Sequence, residues 1–192
     1  MLVVNLFGVP GAGKSTGAAY VFSNLKMQGI NAELVTEFAK DMVWENNTEV
    51  LKNQAYIFGT QSFRISRCQN KVDVIVTDCP LLLTALYNRD PILGREFNNV
   101  VANVFRSYNN VNFLLDRAKE YNPIGRLQTE QEAQSLRAPL LDLLNTYNIP
   151  FSRIDGNKAG YDSIVKNICQ LLEKEKHSEK IHKKRRDCEM ER

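Results

Sequence analysis

Residues 8 to 15, Gly8-Val9-Pro10-Gly11-Ala12-Gly13-Lys14-Ser15, fit the pattern G-x-x-x-x-G-K-[ST] in full. No other stretch of the chain limits its fold as strongly. The pattern needs a strand running into it and a helix running out. Apolar Leu2–Phe7 supplies the strand, and Ala18, Val21 and Leu25 mark a helical face beyond it. Gly8, Gly11 and Gly13 let backbone N–H groups turn inward around a phosphate, with Ala12 small enough to sit among them. The helix opening at Lys14, Ser15 and Thr16 adds partial positive charge. Lys14 is expected to reach the β- and γ-phosphates of a nucleoside triphosphate, and the Ser15 hydroxyl to bind Mg²⁺. ATP and Mg²⁺ are therefore the expected cofactors.

The remainder fits that start. Short apolar runs, Ala32–Thr36, Val72–Thr77, Val111–Leu115 and Pro150–Ile154, alternate with longer helical patterns. This alternation predicts an α/β fold, a parallel sheet with helices on both faces. Thr129-Glu130-Gln131-Glu132 reads as a capping box opening a helix to about Asn145. One domain is expected over residues 1–172, followed by a charged, flexible tail over 173–192.

Composition excludes several chemistries. Both histidines, His177 and His182, lie in the tail, so residues 1–172 offer none for a Ser/His/Asp or Cys/His mechanism or a histidine-ligated metal. Cys68, Cys79, Cys169 and Cys188 form no CxxC pair and no disulfide framework. A reducing cytoplasm is the expected compartment, and no apolar run is long enough to span a membrane. Of the net charge of +3, the tail carries +2. Its run Lys183-Lys184-Arg185-Arg186 suits DNA phosphates, although flanking acids dilute it and a solvated tail is the plainer reading.

A second acid follows the apolar strand Val74-Ile75-Val76-Thr77. In a phosphate-loop fold this strand lies beside the first, so Asp78 is expected to face Mg²⁺. The alternative is an acid that caps the following helix.

Four segments in this order, GVPGAGKST at 8–16, LVTEFAKD at 34–41, VIVTDCP at 74–80 and YNPIGRLQTEQE at 121–132, resemble the P-loop nucleoside and nucleotide kinases. The resemblance runs to about Leu172. It is nearest to small kinases related to the nicotinamide-riboside kinases and to short bacteriophage P-loop kinases, some of which phosphorylate 5-hydroxymethyluracil in DNA. It implies a five-stranded parallel core in the order 2-3-1-4-5, a lid over about 117–132, and ATP as donor. The implied acceptor is a free nucleoside or nucleotide, or a hydroxymethylated pyrimidine in DNA. Dimerisation is compatible with this reading and not required by it.

By the same resemblance Glu37 is the first candidate for general base and Asp78 the second; Glu37 otherwise serves as a helix N-terminal charge. The helical segment Asn53–Cys68 places Phe58, Gln61, Arg64 and Arg67 as substrate contacts, with stacking area, an amide and phosphate-binding cations. An ordinary half-buried helix is the alternative. On the lid, Arg117 and Arg126 are the candidates to stabilise charge in transfer. Gly156 and Asn157, in the turn after the fifth strand, are the implied neighbours of adenine. Two other classes stay open: a P-loop NTPase acting as a switch or assembly factor, and a nucleotide-binding protein without catalysis.

Overall fold

The computed structural model describes residues 1–124 and 127–190. Five strands, β1 (Leu2–Phe7), β2 (Ala32–Val35), β3 (Val74–Thr77), β4 (Asn109–Asp116) and β5 (Ser152–Asp155), form one sheet in the order β2-β3-β1-β4-β5. All four pairings are parallel. The expected class and strand order are therefore both present.

β1 is buried along its whole length, as a central parallel strand must be. Its residues still alternate between faces. Val3 and Phe7 pack with α4 (Leu83–Tyr87), α5 (Gly94–Arg106) and α7 (Arg137–Thr146). Leu2, Val4 and Leu6 pack with α1 (Lys14–Met27) and α8 (Lys158–Met190). A smaller cluster, Phe38, Met42 and Ile57, ties α2 (Phe38–Trp44) to α3 (Gln54–Ser66) beside the sheet's carboxyl edge. A 3-10 turn, Thr48–Lys52, joins these two helices.

Asn5 interrupts the apolar run on β1. Its Nδ2 donates to Asn112 Oδ1 at 3.0 Å and Asn110 Oδ1 at 2.8 Å on β4. Asn112 in turn donates to the Pro150 carbonyl, and Asn110 to those of Phe105 and Tyr108. The buried amides thus answer one another across the sheet, as buried polar groups must.

The capping box forms: Thr129 Oγ1 accepts from the Glu132 N–H, and Glu132 accepts from the Thr129 N–H. The helix it opens is shorter than the sequence suggests. α6 (Glu130–Ser135) ends at Leu136, and α7 begins at Arg137. Pro139 explains the division. It has no N–H for a helical bond to Ser135, but in the first turn of α7 that loss carries no penalty. α8 runs unbroken from Lys158 to Met190, so residues 173–190 continue a helix. Among the described residues, Leu172 is the last of its side chains packed against the core clusters.

Candidate functional site

The phosphate loop leaves β1 at Gly8 and enters α1 at Lys14, with Gly11 at φ 84° and Gly13 at φ 95°. Lys14 Nζ donates to the Gly8 carbonyl at 2.9 Å, which draws the loop closed. Beside it lies a cavity of about 370 Å³, within the usual range for a small-molecule site. Lys14, Ser15 and Thr16 form one wall. Glu37, Lys40 and Val43 come from α2 and its N-cap, Gln54 and Ile57 from α3, and Leu83 and Tyr87 from α4. Lys119 and Gln128 close it from the segment after β4.

Glu37 stands at the N-cap of α2 but makes no side-chain cap bond. Its carboxyl lines the cavity instead. Burial raises its pKa above the ordinary Glu value; Lys14 opposes the rise, and Asp78 adds to it. Such a carboxylate is a better proton acceptor than an exposed one. The same surroundings raise the neighbouring groups. Burial, then Glu37 and Asp78, push the Cys79 thiol up, and burial with Glu37 does the same to the Tyr87 phenol. Both therefore stay protonated at neutral pH.

Asp78 follows β3, which pairs directly with β1. It is 3% exposed, and it caps no helix, because α4 begins five residues later at Leu83. Its Oδ1 is the one fully buried side-chain oxygen or nitrogen without a hydrogen-bond partner among the described residues. A buried carboxylate oxygen with no donor is a poor arrangement unless a cation or its water completes it. Among the described residues no group of three or more His, Cys, Asp or Glu side chains is arranged to hold a metal alone. The orphaned Asp78 oxygen suits a cation that brings phosphate and water oxygens with it, as Mg²⁺ does. Ser15 lines the cavity, and Asp78 acts on Glu37 electrostatically without lining it.

A family model described as AAA domain matches residues 3–159. The chain belongs to this family. A search among curated proteins found no match. Among solved structures the chain is similar to deoxyadenosine kinase from M. mycoides with bound dATP, at 20% identity and a TM-score of 0.54. That likeness covers 89% of this chain and 99% of the other, and it shows the shared fold.

Within this AAA domain the other expected site residues have mixed placements. α3 turns Gln54 and Ile57 toward the cavity rather than Phe58, Gln61, Arg64 or Arg67, none of which lines it. Phe58 meets Phe97 edge to face in the core, with ring centres 5.7 Å apart. Gln61 is 2% exposed; it accepts from the Phe38 N–H and donates to the Thr36 carbonyl, bracing the backbone on either side of Glu37. Arg64 pairs with Asp41 at 2.7 Å and lies over the Phe38 ring. Arg67 is exposed at the C-cap. The helical spacing of this segment is real, but tertiary packing assigns its inner face to the core.

Arg117 is engaged as well. It pairs with Glu130 at 2.6 Å and lies over the Tyr121 ring. Arg126 lies outside the described residues. Gly156 packs its backbone against the Ala12 carbonyl, where a Cβ has no room, and donates its N–H to the Asp116 carbonyl at 2.7 Å. Asn157 caps α8 by accepting from the Gly160 N–H. Neither residue lines the cavity. Sequence reasoning missed Tyr87 and Leu83, whose only signal was a polar Thr-and-Tyr interruption in the run Leu81–Tyr87. It also missed Ile57 and did not assign Gln54 to the cavity wall. No helix of the described residues is long and apolar enough to cross a membrane.

Proposed function

We propose that this AAA domain is an ATP-dependent kinase acting on a hydroxyl group of a nucleoside-type acceptor. The observation that carries the reading is Glu37, an uncapped, half-buried carboxyl with a raised pKa, in a cavity that opens on the phosphate loop. The donor's β- and γ-phosphates are assigned to the loop amides and Lys14, with the turn at Gly156 and Asn157 beside the adenine. Ser15 and Asp78 would hold Mg²⁺, which neutralises charge on the β- and γ-oxygens when bound.

Glu37 then takes the proton from the acceptor hydroxyl as its oxygen attacks the γ-phosphorus, and the bond from that phosphorus to the β–γ bridging oxygen breaks, so that ADP leaves with the bond's electron pair. Its burial matches its basicity to that task. Val43, Leu51, Ile57 and Leu83 offer apolar walls for a flat ring. Gln54 donates one amide hydrogen to the Leu51 carbonyl at 2.7 Å, which leaves its oxygen to accept from a base edge. A hydroxyl suits the site better than a phosphate. Glu37 and Asp78 bring two carboxylates to the transfer point, and Arg64 and Arg117 stand outside the cavity, paired with Asp41 and Glu130, so that Lys40 and Lys119 are the cations on its wall besides Lys14. The named activity of the similar M. mycoides enzyme supports the same acceptor class.

A transfer screen with γ-labelled ATP tests this reading. The acceptors are free nucleosides, nucleoside monophosphates, nicotinamide riboside, plain DNA and DNA bearing 5-hydroxymethyluracil. Label on a free nucleoside is the expected result. Label on DNA alone moves the acceptor to the polymer, and label found only as free phosphate refutes the kinase reading.

A further inference from the structure

The phosphate loop is usually thought of as self-supporting, yet here its turn into α1 rests on a residue from the far end of the domain. Tyr161 of α8 is 4% exposed. Its hydroxyl donates to the Gly13 carbonyl at 3.0 Å. Burial raises its pKa, so the phenol remains a donor across the neutral range. The same carbonyl accepts from the Gly17 N–H at 2.8 Å. Gly13 has φ 95°, a conformation that side chains other than glycine rarely adopt. A Cβ on Gly17 would stand 2.6, 3.0 and 3.2 Å from three atoms of the Tyr161 ring. Gly17 therefore gives the ring its place, and the ring gives the hydroxyl its reach.

The consequence follows from peptide geometry. In a trans peptide the carbonyl of one residue and the N–H of the next point to opposite sides. Anchoring the Gly13 carbonyl outward, on two donors, therefore aims the Lys14 N–H inward. That N–H is among the first of α1, with no partner inside the helix, and it is one of the amides a phosphate would meet. We infer that Tyr161 is a positioning residue for the triphosphate: it fixes the Gly13–Lys14 peptide so that the Lys14 amide faces the donor's phosphates. Nothing in the sequence motif points to it, because it lies 147 residues beyond Lys14. The inference rests on the loop being the donor site.

Calorimetric binding of Mg·ATP and of magnesium tripolyphosphate to the full chain separates the two claims. Tyr161→Phe keeps the ring and its packing but removes the donor. It should weaken both ligands about fivefold, the usual worth of one such hydrogen bond. Equal loss for the two ligands locates the effect at the phosphates. Gly17→Ala, which displaces the ring, should weaken binding further, and should add little in a Tyr161→Leu background where the crowding is gone. A lower melting temperature of Tyr161→Phe with unchanged affinity assigns the residue to stability alone and overturns the inference. Failure of the unaltered chain to bind either ligand overturns the donor-site reading and this inference with it.

Discussion

Asp78→Asn should make the ligand-free protein more stable while removing its activity. The substitution keeps shape and volume but deletes the charge on a carboxylate that is 3% exposed and has one oxygen unpartnered. A buried acceptor left without a donor costs about 1–3 kcal/mol, and a charged one lies toward the upper end. The asparagine still leaves one polar atom poorly served, so the gain is about 2 kcal/mol. For a chain of this length each kcal/mol moves the melting temperature by about 2–4 °C, giving a rise of about 4–8 °C. Scanning calorimetry without nucleotide or divalent cation measures it. With Mg·ATP at about a hundred times its dissociation constant, the unaltered protein should gain about 2.7 kcal/mol by mass action and the variant much less. The order of the two melting temperatures should then approach or cross. A ligand-free variant that melts at or below the unaltered protein would refute the idea that Asp78 is held ready for a cation.

Glu37→Gln should lower turnover about 10²- to 10⁴-fold with Mg·ATP affinity retained, as read by steady-state kinetics and calorimetry; unchanged turnover would move the base role to Asp78. Because burial raises the Glu37 pKa, its base form is lost as pH falls through a value above the ordinary glutamate range, so the acid limb of the rate profile should lie above that range. The sign for stability is opposite: a raised carboxyl favours the fold below its ordinary range and loses that contribution as pH rises, so Glu37→Gln should stabilise the protein at pH 7. Lys14→Ala should abolish detectable transfer of label from ATP, and substantial residual transfer would show that the donor binds elsewhere. Leu144→Ala, at a fully buried position on α7, should cost about 2–5 kcal/mol in denaturant unfolding without changing the affinity for ATP in the folded fraction. Removing residues 177–192 should leave turnover on a free nucleoside unchanged, since among the described residues the last side chain of α8 packed against the core clusters is Leu172; a loss of turnover would give the tail a part in the site.

The parts of the site that the sequence revealed are those governed by local geometry. Gly8 to Ser15 is a contiguous loop whose chemistry needs particular residues at particular steps, and a strand ending in Asp78 must point an acid at the same edge. Thr129 and Glu132 likewise satisfy each other within one turn. The wall that α3 contributes to the cavity is different in kind. Phe58 and Ile57 are adjacent and both apolar, and only the direction of α3 decides which meets Phe97 and which meets the cavity. Arg64 and Arg117 read as free cations because their partners, Asp41 and Glu130, lie 23 and 13 residues away. Helical periodicity states which residues share a face, not what the face is turned toward.

The asparagine ladder of β1 and β4 has a mechanical meaning for the site. Register in a sheet of apolar strands is weakly marked, since one valine pairs about as well as the next. Asn5 against Asn112 is a tooth in a rack: a slip of one residue would leave buried amides without partners. One residue of slip is about 3.3 Å, more than a hydrogen bond tolerates. Phe7 is registered on Leu114, so Gly8 leaves its strand beside Leu115, two residues before Arg117 opens the segment after β4. The ladder thus gauges the distance between the phosphate loop and the segment after β4 that borders the cavity, from a position deep in the sheet and outside the cavity wall.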